Sequence, residues 1–113
     1  MRISIIIPSY GQAQYLEGAI RTAIGQPYTD KEVIVIDDGS TDGSLEIARR
    51  YSVKVISQIN KGLASARNTG IMHATGDYVL PLDADDLLMP NALQYIAEKA
   101  ELMKVDEFNE RNE

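Results

Sequence analysis

Glu32-Val33-Ile34-Val35-Ile36-Asp37-Asp38-Gly39-Ser40-Thr41-Asp42 is the stretch that decides the fold. Val33 to Ile36 are all β-branched and run without a polar break, as in a strand buried on both faces, the normal condition of a parallel sheet. Asp38-Gly39-Ser40 ends that strand. A short helix is expected over about 42–51, with Thr41 or Asp42 as its N-cap. A buried strand, a glycine turn and a capped helix make one half-unit of an α/β sheet, and the rest of the chain repeats the pattern.

Toward the N-terminus, Arg2-Ile3-Ser4-Ile5-Ile6-Ile7 is a second β-branched run, closed by Pro8. Between the two strands, Tyr15, Leu16, Ala19, Ile20, Ala23 and Ile24 recur at helical spacing over 12–24, and Gly25 and Pro27 stop the helix. Toward the C-terminus, 52–58 reads as a third strand, less apolar and therefore nearer an edge. Asn60 is the expected cap of a helix over about 61–74. Asp77-Tyr78-Val79-Leu80-Pro81-Leu82 forms a fourth strand, and Pro90 suits the first turn of a last helix over about 90–103. The order β-α-β-α-β-α-β-α, with crossovers of the length that right-handed connections need, predicts an α/β fold. Its core is an open, mostly parallel, Rossmann-like sheet with flanking helices.

The chain has 113 residues, enough for one domain, with 44% hydrophobic and 25% charged residues, so a disordered or fibrous chain is excluded. No apolar run reaches the ~18–20 residues of a membrane span. The first residues are too short a run for a secretory signal, and there is no cysteine for disulfides or thiolate metal sites. A cytoplasmic location is the expectation. The net charge of −6 argues against nucleic acid as a partner. Half of that surplus lies in residues 98–113, which hold six acids and three bases. Of the eleven remaining acids, five form two clusters, Asp37-Asp38 and Asp83-Ala84-Asp85-Asp86. The expected organisation is a domain over 1–105 and a charged tail over 106–113.

Ligands of open parallel sheets bind beyond the carboxyl ends of the strands. There the chain places Pro8-Ser9-Tyr10-Gly11, Asp37-Asp38-Gly39-Ser40, Asn60-Lys61-Gly62 and Asp83-Ala84-Asp85-Asp86. Clustered carboxylates repel one another unless a cation lies between them, and oxygen-only ligands favour Mg²⁺ or Mn²⁺. One Asp before Leu87-Leu88 would be an ordinary turn residue; three in four residues are more than a turn requires. An acid after the second strand can accept from a nucleobase N–H or a ribose hydroxyl, and the Tyr10 ring offers a stacking face. Asn60-Lys61-Gly62 and Arg67 bring positive charge and a helix N-terminus, suited to a diphosphate. His73 has no partner set around it and is given no role. Neither G-x-G-x-x-G nor a P-loop is present.

Four ordered segments carry a resemblance. They are Ser4-Ile5-Ile6-Ile7-Pro8-Ser9-Tyr10, Val33-Ile34-Val35-Ile36-Asp37-Asp38-Gly39-Ser40-Thr41-Asp42, Lys61-Gly62-Leu63-Ala64-Ser65-Ala66-Arg67-Asn68-Thr69-Gly70 and Gly76-Asp77-Tyr78-Val79-Leu80-Pro81-Leu82-Asp83-Ala84-Asp85-Asp86. Together, from residue 3 to about 95, they resemble the N-terminal, nucleotide-sugar-binding half of family 2 glycosyltransferases of the GT-A fold. The resemblance implies that Pro8 and Tyr10 line the base pocket and that Asp38 hydrogen-bonds the base, usually uracil. It implies that Asp83 faces the ribose or the outer sphere of the metal, and that Asp85, closing an Asp-x-Asp motif, coordinates Mn²⁺ or Mg²⁺ on the diphosphate. Arg67 is a further candidate on the nucleotide side. The implied chemistry is metal-dependent transfer of a sugar from a nucleoside diphosphate donor to a hydroxyl of a saccharide, lipid or protein.

Gly11 departs from the Asn that often follows the Tyr in this family. Catalytic domains of the family are about twice this length, with the acceptor pocket and catalytic base in their second half. No catalytic base is assigned here, and turnover by this chain alone is not expected. A homodimer, or a partner covering the missing half, is expected to shield apolar surface around the fourth strand and last helix. The alternatives are a non-catalytic nucleotide or nucleotide-sugar binding module, an inactive fragment, or a phosphotransferase using Asp83.

Overall fold

The computed structural model describes residues 1–99 and 103–104. The elements run β1 (Ile3–Ser9), α1 (Ala13–Ile24), β2 (Lys31–Asp37), α2 (Ser44–Arg49), β3 (Lys54–Ser57), α3 (Leu63–Met72), β4 (Tyr78–Pro81), α4 (Ala92–Lys99) and β5 (Met103–Lys104). The sheet order is β3-β2-β1-β4-β5. β1 to β4 are parallel, and only β5 runs antiparallel, against β4. The doubly wound, mostly parallel sheet is therefore present, with the β-branched runs at its centre and the less apolar β3 at an edge.

Alternation along the two central strands divides the core. Ile5, Ile7, Val33 and Val35 pack with Leu16, Ala19 and Ile20 of α1, Ala48 of α2 and Leu93 of α4. Ile6, Ile34 and Ile36 face the other way, onto Ala66 and Ile71 of α3. That is why both runs are apolar without interruption: each face has its own helical layer. At Gly70 the α3 backbone presses on the sheet, since a Cβ there would stand 2.5 Å from Ile36 Cδ1 and from Ile6 Cγ2. Among the described residues, no helix is long and apolar enough to cross a membrane.

Register brings the strand ends level. Ser9 pairs with Asp37, and Asp37 with Ser57, while Ile6 pairs with Pro81 at the end of β4. The ladder extends one step further through Asp38 N–H to Ser9 C=O (2.9 Å) and Gln58 N–H to Asp37 C=O (2.9 Å).

Two expectations need correction. The last helix was expected to reach 103, but α4 is Ala92–Lys99 and Met103 belongs to β5, paired with Val79. A helical pattern cannot reveal a strand partner some two dozen residues upstream. Asn60 is not the cap of α3. Gly62 stands at that position with φ +100° and no side-chain cap of its own. The tail over 106–113 lies outside the described residues. Apolar surface is exposed beside β4 and α4, where Leu87, Met89 and Tyr95 are 65%, 73% and 58% exposed.

Candidate functional site at the carboxyl edge of the sheet

Asp38 follows β2 and is 1% exposed. Its Oδ1 accepts from Gln58 Nε2 (2.8 Å) and from the Lys61 N–H (2.9 Å), and its Oδ2 accepts from the Gly62 N–H (2.9 Å). The Gln58 amide is in turn fixed by Thr69 Oγ1, which donates to Oε1 at 2.7 Å. Burial alone would push the Asp38 carboxyl upward, and this is the largest single influence. The hydrogen bonds from Gln58, Lys61 and Gly62 together outweigh it and hold the group below the usual carboxylate range. Asp38 is thus the distant cap of α3, supplying the acceptor that Asn60 was expected to provide. The Lys61 and Gly62 amides, part of the segment read from sequence as an anion cradle, are therefore taken up by Asp38 just ahead of α3.

Asp42 does the same for two other helices. Its Oδ1 accepts from the Ser44 N–H and hydroxyl (3.2 and 2.6 Å), at the start of α2. Its Oδ2 accepts from the Ala13 N–H at 3.0 Å, the first residue of α1. Hydrogen bonds from the Ser44 hydroxyl and the Ala13 amide keep its carboxyl below the ordinary value. Two residues earlier, Ser40 Oγ accepts from the Gly11 N–H at 3.0 Å. The loop carrying Tyr10, itself 50% exposed, is therefore tied to the loop after β2 on its far side. Gly11 makes that turn at φ +64°. Gly39, at φ +80°, brings the loop after β2 against the one before α3, where a Cβ would lie 2.9 Å from the Asn60 nitrogen.

Asp37 points to the opposite face from Asp38, as alternation requires. Its Oδ2 accepts from the Ser40 N–H (3.2 Å), while its Oδ1 and the hydroxyl of Ser9, its partner in register, are buried without a hydrogen bond among the described residues.

The acidic turn after β4 is built differently. Leu82 and Ala84 are buried at 6% and 1%, whereas Asp83, Asp85 and Asp86 are exposed. The Asp86 N–H donates to the Asp83 carbonyl (2.9 Å), closing the turn. One carboxylate oxygen from each of the three lies within 4.8 Å of the others. Among the described residues none of these carboxylates receives a hydrogen bond or an ion pair. Three converging, hard oxygen donors with open faces fit Mg²⁺ or Mn²⁺ and do not fit zinc or copper.

The strand order β2-β1-β4 sets Asp38, Pro8 with Tyr10, and Asp83 with Asp85 on neighbouring strand ends of one edge. Pro8 is buried within β1. Arg67 is half-buried in the second turn of α3, with a buried Nε that has no hydrogen-bond partner among the described residues. His73, exposed at the end of α3, lies with Nδ1 2.9 Å from the Thr69 carbonyl. Sequence reading overlooked Gln58, Thr22 and Gln26. Gln58, just past the edge strand β3, gave no local signal because its partner lies 20 residues away.

An α/β domain with an exposed oxygen-donor cluster and a tethered aromatic loop at its carboxyl edge belongs to the class of sheets that bind their ligand at that edge. Residues 4–106 match the family model for glycosyl transferase family 2, and the chain belongs to that family. It is 40% identical over 104 residues to the cholesterol galactosyltransferase of Borreliella burgdorferi, covering 88% of this chain and 29% of that protein. It is 41% identical over 97 residues to chondroitin synthase of Escherichia coli, covering 81% of this chain and 14% of that protein. Among solved structures, Staphylococcus aureus TarS 1–349 in complex with UDP superposes with TM-score 0.81 at 31% identity, over 87% of this chain and 31% of that one. The mannosyltransferase PcManGT of Pyrobaculum calidifontis, in complex with GDP-Man and Mn²⁺, gives TM-score 0.79 at 31% identity, with 87% and 31% coverage. The chain spans less than a third of the length of these relatives.

Proposed function

We propose that this chain forms the donor-binding half of a metal-dependent glycosyltransferase that uses a nucleoside diphosphate sugar, with UDP as the nucleotide. The observation that carries the reading is the exposed trio of Asp83, Asp85 and Asp86, with oxygens within 4.8 Å, at the end of a β4 that adjoins the Tyr10 strand. The neighbour bound to UDP and the one bound to GDP-Man and Mn²⁺ support it. Asp85 would hold Mn²⁺ or Mg²⁺, and Asp83 would face the ribose or the metal's outer sphere. Once bound, the cation would neutralise the charge that develops on the departing diphosphate.

The remaining work falls to binding and orientation. Tyr10 would stack on the base, with Pro8 beneath it in the pocket wall. Asp38, ionised and oriented by its three chain donors, would accept the base N–H through Oδ2, which takes only one chain donor and keeps one lone pair. Arg67 would lie on the diphosphate side. The transfer step breaks the bond between the anomeric carbon and the diphosphate oxygen, and the acceptor hydroxyl forms the new bond as it gives up its proton. A hydroxyl-bearing saccharide, lipid or protein as acceptor, a cytoplasmic location and shielding of Leu87 and Met89 by a second copy or further protein belong to the same proposal.

Calorimetric titration of UDP into the chain, with Mn²⁺ and then with EDTA, tests it. Binding is expected with Mn²⁺, with a loss of roughly tenfold or more in EDTA or in Asp85→Asn, as removal of a metal ligand gives. Equal binding in all three conditions would sink the metal-dependent donor site.

A further inference from the structure

The carboxylates of the acidic turn receive no hydrogen bonds among the described residues, so its position is set by the residues that anchor it on either side. The chain after it, from Leu87 to Leu93, is gripped by two polar residues, one in the last turn of α1 and one just past its end. The Thr22 hydroxyl donates to the Ala19 carbonyl (3.0 Å) and accepts from the Leu88 N–H (3.0 Å). Gln26 is 5% exposed just past the end of α1. Its Nε2 donates to the Met89 carbonyl (2.9 Å) and to the Thr22 carbonyl (3.1 Å), and its Oε1 accepts from the Leu93 N–H (3.2 Å). Both amide hydrogens are used. Leu93 is the second residue of α4, so Gln26 also satisfies an N-terminal amide of that helix that has no intrahelical partner. On the near side of the turn, Leu82 and Ala84 are sunk in the core that α1 covers. The Asp83–Asp86 turn is thus clamped between a buried anchor and a hydrogen-bonded one, and both anchors bear on α1.

We infer that Thr22 and Gln26 are positioning residues for the acidic turn: they fix the backbone on which Asp83 and Asp85 meet a divalent cation. The inference rests on the donor-site reading above. Neither side chain touches the ligand. They act by lowering the freedom of a segment whose carboxylates would otherwise spread apart under their mutual repulsion. Outer residues that orient metal ligands commonly govern metal affinity by roughly tenfold or more.

The test compares Thr22→Val, Thr22→Ser and Gln26→Met with the unaltered chain. Val keeps the branched shape and removes the hydroxyl, Ser restores the hydroxyl, and Met keeps the length of Gln without its amide. The first readout is calorimetric titration of UDP with Mn²⁺ and with EDTA. Thr22→Val and Gln26→Met are expected to lose roughly tenfold of the Mn²⁺-dependent gain in affinity, with UDP binding in EDTA unchanged and Thr22→Ser close to the original. The second readout needs no ligand. Amide hydrogen exchange at Leu88 and Leu93 is expected to quicken in Thr22→Val and Gln26→Met respectively, while Gly62, held by Asp38, keeps its protection. Normal Mn²⁺-dependent binding in both variants, or unaltered exchange at Leu88 and Leu93, overturns the role of the clamp. Equal losses with Mn²⁺ and with EDTA, together with faster exchange at Gly62, would mark general destabilisation and overturn it as well. If the unaltered chain shows no Mn²⁺-dependent binding, the donor-site reading itself falls, and the positioning role falls with it.

Discussion

Asp38 and Asp42, after β2, accept hydrogen bonds from Gln58, Lys61, Gly62, Ser44 and Ala13, so both oxygens of each carboxylate are held by the chain. Asp83, Asp85 and Asp86, after β4, accept none from the described side chains and stand exposed within 4.8 Å of one another. Both sets are acids leaving strand ends on the same edge of the same sheet. What separates them is the supply of donors. Where two helix N-termini converge on one loop, a carboxylate becomes a structural acceptor. Where the chain turns outward with no amide facing it, the negative charge is left unanswered among the described residues. Clustering of Asp in the sequence is common to both and does not distinguish them.

The widest gap between the two regions should appear in stability. Asp38→Ala leaves the Gln58 amide and the Lys61 and Gly62 backbone amides that lead into α3 without their acceptor in a site that is 1% exposed. Hydrogen bonds to a charged acceptor stabilise by ~1.5–3 kcal/mol, so a loss of about 2–3 kcal/mol in unfolding free energy is expected, read as a lowered urea midpoint. A variant as stable as the original would show that the Asp38 network is incidental, and the contrast between the loops would collapse.

Acid should expose the same difference more gently. The carboxyls of Asp38, Asp42 and Glu32 all lie below their ordinary values in the folded chain. At Glu32, burial pushes upward most, but hydrogen bonds from Ser4 and Thr75 and the nearby Arg2 guanidinium prevail. As pH falls through the ordinary range near ~4–4.5, the unfolded chain takes up protons before the folded one does. The stability these groups confer is therefore complete above that range and is lost as pH drops through their lower folded values. Unfolding midpoints measured from pH 6 down to pH 2 should fall steeply below about pH 4.5. Asp38→Asn should flatten part of that slope, and a slope identical to the original would remove Asp38 from the account.

Asp42→Ala tests the exposed member of the same loop. Its removal deprives the first turns of both α1 and α2 of an acceptor. Capping interactions at an exposed site are worth about 1 kcal/mol, smaller than the Asp38 effect because water replaces the lost partner. Because Ser40 and Asp42 together tether the Tyr10 loop, exchange at the Ala13 amide should quicken in the same variant.

These caps also explain what the sequence could and could not disclose. The strands β1 and β2 were legible because Ile5–Ile7 and Val33–Ile36 are unbroken β-branched runs, a signal local to each segment. The convergence of Tyr10, Asp38 and Asp85 on one edge followed from strand alternation with helices, since a parallel sheet sends every carboxyl end the same way. Only the cap two residues ahead of α2, Asp42, was legible; the distant caps were not. α1 is capped from Asp42, α3 from Asp38 and α4 from Gln26, at separations of 29, 24 and 67 residues. A cap sought among the nearest residues finds Asn60, when the donor–acceptor geometry is decided by which strands lie side by side. Gln26 was invisible for the same reason: a single Gln between Gly25 and Pro27 reads as a helix stop, and two of its three partners, Met89 and Leu93, are assigned only when the chain around α4 folds back over α1.

The smallest effect is the one that most sharpens the contrast. Asp86→Asn removes one charge from three carboxylates that have no counter-charge among the described residues. If this turn were organised like the loop after β2, the substitution would destabilise the chain. If it is a cation site, then without metal the change relieves repulsion, and the melting temperature should rise by roughly 1–2 °C at low ionic strength, the scale of exposed charge pairs in a domain of this size. The gain should vanish in ~1 M salt, where exposed charges are screened beyond about 3 Å. Adding Mn²⁺ should then reverse the ranking, because the original chain has one more oxygen donor to offer than the variant. A crossover of this kind, with metal stabilising the chain that repulsion had weakened, is not available to a carboxylate already satisfied by amides. The sign of the change in melting temperature at Asp86, read with and without Mn²⁺, therefore separates a turn built by the chain from a turn built for a ligand.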